Sequence, residues 1–352
     1  MNENIRQEYV EKFKNGPFEE ISKEFRNKWT KSLARERETL LEHIKRQLRT
    51  MLRELLKIQT VEALAAGCVE ISLLRTSFYF KKPQLCIEIY DYKQSLGNCI
   101  LESRQDIPFF YELWQDYYEE LKKVSTAFEW ARFITDEVIY TLMQEALDHM
   151  ALGMAFLLKY NLEECHEWKE LKELEKTELF FISAGGYRDW QKIVFAERAP
   201  FDIFIQDKET SLRYGRFDNQ VYYRKKMEAL DLKGSCFQEC QFQYSVLEDI
   251  YFNDCTFIQC KFINTTFQNV HMPGTVFDQC SFINCSFEHM EWSAAYDFTA
   301  EEIEDCYRLT TFQESKFLGC GIEEKDLAGC QIVNTSFDKN AENMEKLPMK
   351  EE

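Results

Sequence analysis

The sequence predicts an α+β, mainly helical domain over residues 1–230. A repeat solenoid follows over 231–340, and a charged tail closes the chain over 341–352. Three observations carry this reading. Large apolar residues recur every fifth position through the C-terminal third, a spacing that is neither the 3.6 of a helix nor the 2 of a strand. The first 230 residues instead place apolar side chains three and four apart. The hydrophobic content of 45% is that of a globular chain, and no uninterrupted apolar run approaches the roughly 18 residues of a bilayer span.

The N-terminal elements follow in order. Phe18, Ile21, Phe25 and Trp29, then Leu41, Ile44, Leu48, Leu52 and Leu55, mark one long amphipathic helix without proline. Gly67 is the expected stop. Residues 69–92, VEISLLRTSFYFKKPQLCIEIYDY, read as extended chain folded at the KKPQ turn. Asp106 and Pro108 open a second helix that runs through 108–133, and 135–160 reads as a third, mostly buried one. Residues 178–226 are ambiguous, with some strand.

The repeat is dense. Phe237, Phe242, Leu247, Phe252, Phe257, Phe262, Phe267, Met272, Phe277, Phe282, Phe287 and Trp292 are twelve consecutive hits at five-residue spacing. Leu232 extends them by one. The count lapses over 293–311 and resumes in phase at Phe312, Phe317, Ile322, Leu327, Ile332 and Phe337. Two residues before each hit stands a mostly small side chain, such as Ser235, Cys240, Ser245, Cys255, Cys260, Thr265, Cys280 and Cys285, with Lys325 the misfit. One large and one small side chain point inward in each five. The other three positions, rich in Gln, Asn, Asp and Glu, face solvent.

This pattern resembles the pentapeptide-repeat family over residues 232–337. The resemblance implies a right-handed quadrilateral β-helix with four pentapeptides per coil, so residues 20 apart stack at the ~4.8 Å inter-strand spacing. Phe stands here where the family often has Leu, and Cys or Thr where it often has Ala. The N-terminal domain resembles no family. The lapse, SAAYDFTAEEIEDCYRLTT, carries a Thr299–Glu302 capping pattern and reads as a short helical insert.

Little in the chain points to catalysis. The start, MNENIRQEYVEKFK, lacks an apolar signal core, so the 13 cysteines are expected to stay reduced. Cys240, Cys260 and Cys280 form an inward column of small hydrophobes rather than a converging zinc site, and no C-x-x-C pair occurs. Glu163 and His166 make one E-x-x-H without the second that a di-iron bundle requires. Glu145 and His149 are ordinary i, i+4 neighbours. Ala184-Gly185-Gly186-Tyr187 is a turn and lacks the spacing of a phosphate loop. No metal, cofactor or catalytic residue is expected, and His271 and His289 face outward.

Two function classes remain, with enzyme activity in the helical domain a distant third. The first is a non-catalytic protein-interaction scaffold in the cytoplasm. Its neutral outer face is made of residues such as Gln243, Asn253, Gln259, Asn264, Gln268, Asn269, Gln279 and Asn284. The second comes from the resemblance: some family members mimic DNA and protect type II topoisomerases. Acids outnumber bases 61 to 43 overall, and 18 to 6 over residues 231–340. That balance disfavours direct nucleic-acid binding. Yet residues 235–292 hold only 7 acids, against Lys261, far from a duplex's charge every ~1.7 Å. Mimicry therefore ranks second. The partner is expected to be one or more proteins, neither nucleic acid nor membrane, and a homodimer is compatible. The acidic insert, with Asp297, Glu301, Glu302, Glu304 and Asp305, is the expected docking segment, because loops on rigid scaffolds carry function.

Overall fold

The computed structural model describes residues 3–92, 97–127, 130–199, 201–204, 212–292 and 308–339. The chain divides into two compact units, the first Met1–Ala196 and the second beginning at Glu197.

In the first unit, α1 (Glu3–Phe13) leads through a short π-helical turn, Lys14–Phe18, into the 41-residue α2 (Glu19–Gln59). The apolar stripe of α2 is buried as its spacing predicts, from Phe25 and Trp29 to Leu52 and Leu55. The helix stops at Gln59, short of Gly67. Gly67 lies instead in β1 (Ala66–Leu73), where the Tyr92 backbone approaches so closely that a Cβ would sit 2.6 Å from it. Close backbone approach, rather than a helix cap, explains this glycine.

The 69–92 segment is strand as expected, but interrupted. A short helix, α3 (Arg75–Tyr79), separates β1 from β2 (Gln84–Tyr90), which pairs antiparallel with it. Residues 99–106 form a strand, β3 (Cys99–Asp106), which the sequence reading missed. Its outward side chains are polar, so no apolar alternation marks it. The second helix accordingly begins later, as a 3₁₀ turn at Pro108–Phe110 that continues into α4 (Tyr111–Ser125). Then follow α5 (Asp136–Lys159), the one-turn α6 (Lys169–Lys172), β4 (Lys176–Gly186) and β5 (Gln191–Arg198). Gly185 and Gly186 end β4, so the turn lies at 187–190 rather than at 184–187. The five strands are ordered β3-β2-β1-β4-β5, with β1 and β4 parallel. Val69, Ile71, Leu85, Ile87, Ile182 and Ala184 point from one face into the helical core.

The second unit is a quadrilateral β-solenoid. Three of its sides are parallel ladders of three-residue strands, and the fourth is a line of single bridges, Asp231–Tyr251–His271–Glu291. Residues 20 apart are in register, Phe242 with Phe262 and Phe282, and Phe237 with Phe257. Their rings stack at 4.7–4.8 Å, nearly parallel. Thirteen of the eighteen repeat-centre residues are fully buried, while Phe287, Trp292, Ile322, Ile332 and Phe337 are half-buried against the same core.

The solenoid departs from the sequence reading at both ends. It begins not at 231 but at Arg216, with Phe217, Tyr222 and Met227 stacked beneath Phe237, Phe242 and Leu247. The first coil was missed because its small positions hold Gln220 and Lys225, both exposed. In later coils the small residue is also a donor. Its hydroxyl or thiol hydrogen-bonds the carbonyl of the repeat-centre residue 23 positions earlier, as Cys240 does to Phe217 (3.2 Å), Ser245 to Tyr222 (2.8 Å) and Thr265 to Phe242 (2.9 Å). Among the described residues no coil lies beneath the first, where Phe201 and Phe204 pack on Phe217 and Tyr222 instead. At the other end Ile322 does not centre a strand, while Leu327 stays buried in the core on the side made of single bridges. Residues Glu324–Leu327 form a 3₁₀ turn whose start is closed by a Glu323–Asp326 capping box. Lys325 at the small position is exposed and cannot enter the core.

Candidate functional site

The inward hydroxyls and thiols of the solenoid from Cys240 to Cys285 are taken up by backbone carbonyls. Across the insert the same donor rule persists, shifted by fifteen residues: Thr310 to Met272 (2.7 Å), Ser315 to Phe277 (3.1 Å) and Cys320 to Phe282 (3.3 Å). The cysteine column is buried and free of disulfides, with Cys240, Cys260 and Cys280 each bonded to a carbonyl rather than to one common point. Hydrogen bonding with Cys260 and burial push the Cys240 thiol up, and burial does the same to Cys255.

What the rod offers is its outside. Each side ends in a corner residue with left-handed backbone, φ near +50°: Gln259, Asn264, Asn269, Gln279 and Asn284 among them. That conformation is tolerated best by Gly and Asn. Asn264, Asn269 and Asn284 therefore answer a backbone demand as well. Gln243 and Gln268, in contrast, stand on the flat faces, and Asn253 lies in a turn. Tyr223 and Tyr244 are exposed beside them. His271 faces out and stacks on Tyr251 at 4.4 Å, and His289 is an exposed corner.

Charge on the rod is mixed. One face carries the column Glu228, Glu248, Gln268, Glu288, in register from coil to coil. Lys226 clamps its first two acids at 2.7 and 2.8 Å. The first coil, left out of the sequence count, brings Arg216, Arg224, Lys225 and Lys226 against Asp218 and Glu228. It dilutes the acidity expected of the repeat. The proposed docking acids Asp297, Glu301, Glu302, Glu304 and Asp305 lie outside the described residues.

Two cavities among the described residues of the first unit bear on function. One, of 480 Å³, is lined by Ser22, Arg26, Tyr117, Glu145, His149 and Trp190. Its acids are engaged: Glu145 with Lys14 at 2.5 Å, and Asp148 with Arg75 and with the Trp190 indole N–H. Glu163 and His166 sit in a one-turn 3₁₀ helix, and the His166 ring packs on Phe195 at 4.7 Å. The second cavity, of 630 Å³, opens on the face of the sheet opposite the helical core, lined by Glu88, Tyr90, Cys99, Glu102 and Arg188. On that face Ser183, Glu70, Glu88 and Glu102 form one transverse row across four strands. Burial raises the carboxyl of Glu70, and Glu88 beside it adds to the shift. The Glu88 carboxyl is likewise pushed up by burial. Cys86, Glu88 and Glu102 are the described side chains whose donor atoms converge enough to hold a metal. The sequence reading missed this row. Its only trace there is a glutamate inside each of two apolar strands, CVEISL and LCIEIY.

Comparison with known proteins agrees with the geometry. Residues 237–286 match the model for Pentapeptide repeats (9 copies). The second unit is a pentapeptide-repeat domain. Among solved structures, the chain is similar to a pentapeptide-repeat protein, Rfr23, from the cyanobacterium Cyanothece 51142, at 10% identity and TM-score 0.24, over 36% of this chain and 87% of that one. It is also similar to a trypsin-treated variant of QnrB1, a plasmid-mediated fluoroquinolone resistance protein. That match has 14% identity and TM-score 0.20, over 34% of this chain and 54% of that one. No curated protein matches the chain.

Proposed function

We propose that this chain is a non-catalytic protein-interaction scaffold, with the pentapeptide-repeat solenoid as its docking surface. One observation carries the reading. The solenoid's inward hydroxyls and thiols are taken up by backbone carbonyls, so its usable chemistry is the flat, mixed outer faces. Parallel ladders hold those faces rigid, which lowers the ordering cost of binding. The partner is a protein, met in the cytoplasm. The test uses the full chain as bait, followed by direct binding of the purified candidate. Gln243→Arg and Gln268→Arg should weaken that binding while leaving circular dichroism and melting unchanged. Binding indifferent to charge on every rod face would reject the scaffold.

The second reading is mimicry of a DNA duplex towards a type II topoisomerase. The Glu228–Glu248–Glu288 column favours it. The Lys226 clamp and the basic first coil weigh against it. We therefore expect no inhibition of gyrase supercoiling and no relief of quinolone poisoning at micromolar protein. Clear protection of gyrase would reverse the ranking.

A further inference from the structure

We propose that Cys86, Glu88 and Glu102 form a binding site for a thiophilic divalent cation of the zinc type on the N-terminal sheet. Strand register brings them together. Cys86 and Glu88 are two apart on β2, so they share a face, and Glu102 on β3 is the direct cross-strand partner of Glu88. One donor atom from each lies within 4.8 Å of the other two. Ligands around a tetrahedral zinc with bonds of about 2.0–2.3 Å stand about 3.3–3.8 Å apart. The shortfall is small, and Glu102, exposed and paired with Arg104 at 2.8 Å, must exchange that partner for the cation.

An acidic cluster alone would say nothing. Here Glu88 is 3% exposed, lines the cavity, and its Oε2 has no hydrogen-bond partner. A buried carboxylate oxygen left unpaired is costly, and a second acid, Glu70, stands beside it in the row. A cation bound at Oε2 removes both penalties. The thiol selects among cations. Calcium and magnesium take all-oxygen shells, whereas thiolate with carboxylate suits zinc and its neighbours. Three protein ligands leave a fourth position, and the open cavity bounded by Asn98 and Cys99 gives water access to it. Coordination replaces the Cys86 S–H bond with a metal–sulfur bond and releases that proton to solvent.

The experiment titrates chelator-treated, reduced full-length protein with Co²⁺ and then Zn²⁺. One equivalent of Co²⁺ should give a thiolate-to-cobalt charge-transfer band, and Zn²⁺ should abolish it. Cys86→Ser should eliminate the band, Cys99→Ser should keep it, and Glu88→Gln should weaken affinity by about tenfold or more. Circular dichroism identifies any variant that fails to fold. If Cys86→Ser unfolds, the Glu88→Gln affinity decides. No stoichiometric band, a band that survives Cys86→Ser in folded protein, or Glu88→Gln binding as tightly as wild type would overturn the site. In that outcome the row is a pair of buried acids that holds no metal.

Discussion

Thr265→Val tests whether the small inward residue acts as a donor rather than merely a spacer. Thr265 is buried, and its Oγ1 donates to the Phe242 carbonyl at 2.9 Å, with a longer contact to Ile263 O at 3.3 Å. Valine has the same shape, so no cavity forms. The loss is the hydrogen bond with its acceptor left buried, about 1–3 kcal/mol. The added methyl group returns about 0.8 kcal/mol of burial. The net destabilisation is about 0.2–2.2 kcal/mol. Hydrogen exchange at ladder amides, such as Thr266 N–H bonded to Ser245 O, reads the opening of this region without interference from the other unit. Protection there should fall by up to about 40-fold, at about 1.36 kcal/mol per decade. The control is Lys225→Ala, the equivalent position two coils earlier on the same side of the rod, where the exposed side chain lies over the Phe204 ring at 4.9 Å and donates to no coil beneath among the described residues. It should change stability by less than about 0.5 kcal/mol. A Thr265→Val protein with wild-type protection, or a Lys225→Ala protein damaged as much, would refute the donor rule.

Three further outcomes follow from the same geometry. Cys240, Cys260 and Cys280 should resist an alkylating reagent until the protein unfolds, while exposed Cys99 is modified at once; mass spectrometry of labelled peptides reads both. At the exposed corner Asn269, φ +52°, a Val substitution should cost about 1–2 kcal/mol in a denaturant melt and Gly almost nothing, because a β-branched side chain opposes left-handed backbone. Phe312 stacks on Phe277, 35 residues away rather than 20. Deleting the fifteen residues 294–308 restores the coil length and should leave β-rich circular dichroism and cooperative melting intact; loss of cooperativity would make the insert part of the solenoid's structure.

The five-residue repeat was legible because it is local and redundant. Every coil needs a large side chain at its centre, so Phe237 to Phe337 announce themselves in one dimension, and the helical stripe of α2 does the same at its own period. Where a position answers to a single neighbour, the pattern thins. Gln220 and Lys225 broke the small-residue rule because, among the described residues, no coil lies beneath them. Ile322 and Leu327 kept the spacing, yet Lys325 between them turned that segment into a 3₁₀ turn. The corner amides looked like a binding surface in sequence, and the backbone angle gave them a second reason to be there.

The transverse row on the N-terminal sheet lay beyond sequence reading altogether. Glu70, Glu88 and Glu102 belong to three strands, one of them unmarked by apolar alternation. Nothing in their spacing states that β2 lies between β1 and β3, or that their carboxylates share a face. A period specifies which way a side chain points, since that follows from the backbone of its own segment. Which side chains meet across segments depends on strand order and register, and those are decided only when the whole sheet finds the pairing that buries Val69, Ile71, Leu85 and Ile87 together.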